Sequence, residues 1–382
     1  MKKVYFDSAA TTKLRSEVIY CMSDALKTEY GNPSSTHSYG RSSKSLLENC
    51  RKDIAKLFNV NASEIIFTSG GTEADNLVLN GCVKNLGVTR IISSKIEHHA
   101  VLHTIAELKA LHNIDVDYVN LDDCGHVDYK HLESLLKSNG AKTLVSLMHV
   151  NNEIGNMLDL KRVAEMCKEY DAMFHSDTVQ SVGHFELDFS EIPIDFAAVA
   201  AHKFHGPKGA GFAFIRKDKP LKPLIHGGAQ ERGLRAGTEA VYAIAGMTEA
   251  LKIAYRNLEK ERAYITELKD YFKNRLSSEI DGISFNGGCD DNENSTYTLL
   301  NVCLPISDEK AMMLLFQLDL KGIACSQGSA CQSGSSAGSH VLKEVLSEED
   351  NKKPSVRFSF SSFNTKDEID YVVEVLKDFI EN

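Results

Sequence analysis

The sequence has no run of 18 apolar residues, so no segment is long enough to cross a bilayer as a helix. Its opening, MKKVYFDSAATT, carries two lysines but lacks the apolar stretch of a signal peptide. A basic excess is also absent: 43 Lys and Arg stand against 53 Asp and Glu, and a formal charge of −10 argues against a general grip on nucleic acid. No disulfide framework is visible. The nine cysteines are odd in number and scattered, which suits a reducing cytoplasm and predicts a cytoplasmic protein. The only close pair, Cys325 and Cys331, matches no common zinc spacing, and the adjacent His98 and His99 cannot readily meet one ion, so no metal site is expected. Repeats and low-complexity segments are missing too.

What remains is an ordinary globular composition, 25% charged and 42% hydrophobic, on a 382-residue chain long enough for two or three domains. From about residue 60 to 216, short apolar runs alternate with helical patterns. The runs 64–68, 90–93, 116–119, 143–148, 173–177 and 196–200 read as buried strands. Stretches 100–111, 129–137 and 160–170 between them have helical spacing. That alternation predicts an α/β fold with a mostly parallel sheet covered on both faces. Residues 241–279 read as helical almost throughout; strands at 297–304 and 355–360 and helices at 309–320 and 366–380 then predict a smaller α+β domain. The expected division is 1–15 as a segment packing on the small domain, 16–250 as the large domain and 251–382 as the small one. The stretch around QGSACQSGSSAGS is poor in large apolar residues and predicts a mobile loop.

Four segments sit where strand patterns end, the place where ligands bind in open α/β sheets. TSGGTEADN runs from Thr68 into a helix beginning near Thr72. It reads either as an anion site made of helix N–H groups and the Thr72 hydroxyl, or as a glycine turn with an ordinary N-cap. HSDTVQ places Asp177 and Gln180 after a strand, where a buried acid must be paired to stay charged; a structural cap is the other reading. AAHKFHGPKGAG puts His202 and Lys203 at the next strand end, about 25 residues on. A lysine there gives up its charge readily, and the neutral amine is what forms a Schiff base; Lys208 competes but falls on the turn. CSQGSAC offers Cys331 in a reachable loop, where a thiolate can act, while Cys325 follows an apolar run and reads as packed.

These segments, together with HVNNEIG, GLRAGTEA and SVRFSF, resemble in order the cysteine desulfurases of the nitrogen-fixation and iron–sulfur-cluster type, class V aminotransferase-like enzymes of pyridoxal-phosphate fold-type I. The likeness runs from Tyr5 to Phe360, and the form GSAC followed by serines and glycines is similar to the long-loop branch. The resemblance implies pyridoxal 5'-phosphate held by Lys203 as a Schiff base, Asp177 on the pyridine nitrogen, Gln180 on the ring oxygen and His98 stacked on the ring. It implies phosphate contacts from Gly71, Thr72, His202 and Thr238, the last from the other subunit of a homodimer. Asn152 would meet the substrate amine or ring hydroxyl, and Arg357, helped by Asn32, would grip the substrate carboxylate. The implied reaction takes sulfur from L-cysteine, releases L-alanine and leaves a persulfide on Cys331, with Lys203 and His98 moving protons. A sulfur-acceptor protein would then take the sulfur, an iron–sulfur scaffold being one kind. Family members with a longer C-terminal tail use it to dock that scaffold; this sequence runs to Asn382, soon after its last helix pattern. One departure stands out: Ala200 occupies the position of a phosphate-binding Ser or Thr. Rival readings are a selenocysteine lyase, another class V enzyme, and a non-catalytic sulfur carrier.

Overall fold

The computed structural model describes residues 2–138, 140–306, 308–328 and 338–381. Cys331 lies outside the described residues. The chain enters through a short strand β1 (Val4–Tyr5) and two helices, α1 (Ser16–Thr28) and α2 (Ser38–Leu57). The alternating part follows as β2 (Ile65–Thr68), α3 (Gly71–Leu86), β3 (Arg90–Ser93), α4 (His99–His112), β4 (Asp115–Tyr118), α5 (Tyr129–Lys137), β5 (Thr143–Ser146), α6 (Leu160–Glu169), β6 (Met173–Asp177), β7 (Phe196–Ala200) and β8 (Gly211–Ile215). Seven of these strands form one sheet in the order β2-β8-β7-β6-β5-β3-β4. All neighbours pair in parallel except those of β8, which runs antiparallel to both β2 and β7.

The strand residues alternate between two apolar cores. Ile65, Phe67, Phe174, Ala197 and Phe212 face the helices α2, α5 and α6, while Ile66, Met173, Phe196, Ala198 and Ala213 face α3 and α4. Two-sided burial explains why these strands are continuous apolar runs. Polar residues at helix starts set the caps. Asp128 accepts from the Lys130 and His131 N–H groups, and Asp159 accepts from Arg162 N–H.

The 241–279 stretch is two helices, α7 (Val241–Arg256) and α8 (Leu258–Glu279), broken at Asn257, whose N–H returns to Ile253 O. The reason is a change of core: Ile253 packs with the large sheet, and Ile265 and Leu268 pack with a second core. That second core holds β9 (Ser284–Phe285), β10 (Leu299–Cys303), α9 (Asp308–Leu320), β11 (Ile323–Ala324), β12 (Ser355–Ser359) and α11 (Lys366–Glu381) around an antiparallel sheet ordered β12-β10-β9, while α10 (His340–Val345) packs outside it. The N-terminus is stitched onto it. β1 pairs with β11, and Phe6 stacks on Phe272 at 6.1 Å and meets Phe360 edge-on at 5.4 Å.

Phe6 is fully buried in that aromatic group. Phe6→Ala should therefore cost about 3–5 kcal/mol by urea unfolding; a loss below about 1 kcal/mol would show that the segment adds little to this core.

Candidate active site

β6 ends on Asp177 and β7 ends on Ala200, so the carboxyl ends of adjacent parallel strands open on one cleft. Beyond β5 the backbone keeps running beside β6, with Leu147 N–H on His175 O and His149 N–H on Asp177 O, and carries residues 150–152 over the same opening. The cleft is about 770 Å³ and is lined by Gly71, Thr72, His98, Asn152, Asp177, Gln180, His202, Lys203 and Arg357 together. Asn32 and Thr238 are not among its lining residues. Asn32 sits on an exposed turn with its Oδ1 accepting from Ser34 N–H at 2.9 Å, and Thr238 is exposed. Lys208 is exposed on the turn beyond Lys203.

At one end Gly70 (φ 154°) leads into α3, and a Cβ on Gly71 would come within 2.6 Å of Val179 Cγ2. The first-turn N–H groups of a helix have no partner within it, and together with Thr72 and His202 they suit an anion. His202 is neutral: burial, then the charge of Lys203, holds its imidazole down at about 4. The buried Ala200 faces this end with a methyl group only.

At the centre, Asp177 Oδ1 accepts from Val179 N–H at 2.9 Å. Burial pushes this carboxyl up to about 6, against the opposing pull of that N–H and of Lys203. Gln180 Nε2 donates to Ala9 O at 2.9 Å, and Lys203 Nζ donates to Ala9 O and Ala10 O at 2.6 and 2.8 Å. His98 caps α4: its Nδ1 accepts from Ala100 N–H at 3.1 Å, which puts the ring proton on Nε2. Burial, then Lys203, holds this imidazole at about 4, so His98 is neutral.

Several residues that the motifs did not single out complete the site. Asp75, buried and also lining the cleft, has its Oδ1 3.3 Å from His175 Nε2, and His175 Nδ1 meets Ser146 Oγ at 2.9 Å. Burial, then Asp177, pushes the Asp75 carboxyl well above its ordinary range. The signal was in the sequence: Asp75 stands in TEADN on the α3 face toward β6, and His175 shares a sheet face with Asp177 two residues on. Asp7 is the other omission. Arg357, 1% exposed on β12, donates Nη2 to Asp7 Oδ1 at 2.9 Å and Nη1 to Asn152 O at 2.7 Å, while its Nε is buried with no partner among the described residues. A buried unmatched donor at the cleft wall suits a carboxylate ligand.

Comparison with known proteins agrees with this geometry. Residues 4–372 match the model of the family described as aminotransferase class-V. The chain belongs to that family. The cysteine desulfurase IscS of Dictyoglomus turgidum is 40% identical over 382 residues, covering all of this chain and 95% of the relative. Among solved structures, a NifS-like protein aligns with a TM-score of 0.89 at 33% identity over the full length of both chains. A structure described as SspA in complex with cysteine aligns at 0.81 with 30% identity, over 95% of this chain and all of the other. The class V family works with pyridoxal phosphate, and the donor set here fits it. A helix N-terminus stands at one end of the cleft, a buried carboxylate and a neutral imidazole at the centre, and an amine between them.

Two outcomes follow. Ala200→Ser should tighten cofactor binding roughly 10- to 100-fold by adding one hydrogen bond to a charged group, read from the dissociation constant of reconstituted protein; no change would mean the phosphate lies elsewhere. A carboxyl raised above its ordinary value holds its charge above that raised value and loses it below. Cofactor affinity should therefore fall as pH drops through about 6, and Asp177→Asn should flatten that profile.

Proposed function

We propose that this class V enzyme is a pyridoxal-phosphate-dependent cysteine desulfurase in which Lys203 holds the cofactor and Cys331 receives the sulfur. The observation that carries the reading is the meeting of Lys203, Asp177, His98 and Arg357 on one cleft. Bound there, the cofactor supplies an electron sink that draws charge from the substrate's α-carbon. Asp177 holds the proton on the ring nitrogen, Gln180 orients the ring oxygen and His98 covers the ring face. Gly71, Thr72 and His202 hold the phosphate. Arg357 binds the L-cysteine carboxylate, placing the α-carbon against the Lys203 amine, which takes the α-proton.

The Cys331 thiolate then attacks the substrate sulfur. The carbon–sulfur bond breaks as the sulfur–sulfur bond forms. L-Cysteine and a thiol become L-alanine and a persulfide, so the electrons balance without an outside oxidant or reductant. His98 serves as the proton carrier between the thiols and the product, its Nδ1 giving up the Ala100 N–H when it takes a proton. A free thiol has a pKa near 8.5, so only a few per cent is thiolate at pH 7 unless its surroundings lower it.

Thr238 is exposed and off the cleft of its own chain, which supports a homodimer in which it reaches the phosphate of a second copy. Asn32 assists Arg357 in the same reading. The chain divides into residues 1–15 on the smaller unit, 16–250 as the cofactor-binding unit and 251–382 as the unit with the Cys331 segment, a division supported by the break between α7 and α8. The enzyme works in the cytoplasm and hands its persulfide to an acceptor protein for iron–sulfur cluster assembly or thiolation. No described helix is long and apolar enough to cross a membrane.

Cys331→Ala should keep the visible absorbance of the bound cofactor while alanine and sulfide release from L-cysteine fall at least about 100-fold. Full turnover in that variant would remove the persulfide step.

A further inference from the structure

α10 begins nine residues after Cys331 and packs on the two segments that bring His98 and Asn152 to the cleft. Its Val341 and Leu342 form a small core of their own with Ile96 and Ile154, all four buried. Ile96 lies two residues before His98, and Ile154 lies two after Asn152. Polar contacts repeat the pattern from the first residues of the helix. Ser339, the N-cap, donates its hydroxyl to Glu153 Oε2 at 2.5 Å while accepting from Leu342 N–H at 3.0 Å. His340 Nε2–H donates to the Glu97 carbonyl at 2.9 Å, and its ring lies 4.4 Å from that of His99. Consecutive residues thus hold the neighbours of Asn152 and of His98.

The two segments are also tied to each other. Asn151 Nδ2 donates to Ile96 O at 2.9 Å, and Met148 N–H donates to Glu97 Oε1 at 3.0 Å. They form one block seated on α10. The exposed pair Lys95–Glu344 at 3.0 Å adds little, since surface ion pairs are weak.

We propose that Ser339 and His340 are positioning residues that set His98 and Asn152 in the cleft through Glu97 and Glu153. The inference rests on the reading of His98 and Asn152 as site residues. It goes beyond that reading by assigning the residues after the thiol segment a part in the cleft's geometry.

The test uses the holoenzyme and the variants Ser339→Ala, His340→Ala and His340→Gln, with Glu344→Gln as the control on the same helix. Each alanine variant should lower kcat about tenfold with KM for L-cysteine within about twofold, the size of effect that a small misplacement near the chemistry produces. Both should also alter the circular dichroism of the cofactor's visible band and weaken L-alanine binding, at cofactor content and melting temperature near wild type. His340→Gln should restore most of the loss, because its amide N–H can reach the Glu97 carbonyl, and Glu344→Gln should change nothing. Unchanged kcat and dichroism in both alanine variants would overturn the proposal. So would losses that track only cofactor content and melting temperature, or a glutamine no better than alanine. If His98→Ala and Asn152→Ala themselves leave the cofactor band and alanine binding unchanged, the site reading has failed rather than the positioning one.

Discussion

A guanidinium group with 1% of its surface exposed must be paired, or its desolvation destabilises everything around it. Arg357 finds its partners in two distant segments, the Asp7 carboxylate from the N-terminus and the Asn152 carbonyl from the turn beyond β5. The ladder between β12 and β10 holds its backbone, while Ser326 exchanges backbone hydrogen bonds with it and gives its hydroxyl to the same Asp7 oxygen. One buried cation thereby fixes the smaller unit against the cleft, anchors the N-terminal segment and places a buried donor at the cleft wall. Losing Asp7 would leave the charge unpaired, which costs far more than a surface ion pair.

The rest of the cleft follows from burial acting on acids and imidazoles in opposite directions. His98, His175 and His202 are all held neutral, at about 4, about 3 and about 4, chiefly by burial. Asp75 and Glu97 are pushed up, Glu97 to about 8, chiefly by burial. Asp177 is shifted least of these acids, since the Val179 N–H and the charge of Lys203 oppose the burial. At neutral pH the negative charge therefore collects on Asp177 and the histidines carry none. The cleft can then accept an anionic phosphate and a protonated ring without crowding like charges together.

The N-terminal segment shows how backbone groups take part. The carbonyls of Ala9 and Ala10 hold Lys203 Nζ, and Ala9 O also holds Gln180. Thr12 reaches the His202 carbonyl with both its N–H and its hydroxyl. The first dozen residues are thus a wall of the cleft, although they precede the large sheet by more than fifty positions.

Periodicity and local chemistry determined a good deal. The apolar runs marked most strands, because a strand buried on both faces has no polar side to show. The strand-end motifs gave the residues of the cleft, because a glycine turn, a buried acid and a lysine after a strand are each unusual where they stand. β8 was not marked, since GFAFI follows a glycine turn closely enough to read as its continuation, and only pairing with β2 and β7 makes it a strand. The break at Asn257 was hidden in the same way: helical spacing continues across it, and the turn exists because the two halves face different cores. Asp7, Asp75, Glu97 and Glu153 acquire their roles through partners far away in sequence. The sequence by itself determined which chemical groups are present and which face of each element they occupy, since side-chain direction follows local backbone geometry. Tertiary structure alone decided which of those groups meet, how their charges are shifted, and that α10 seats the segments of His98 and Asn152, because burial and pairing depend on contacts that local chemistry does not encode.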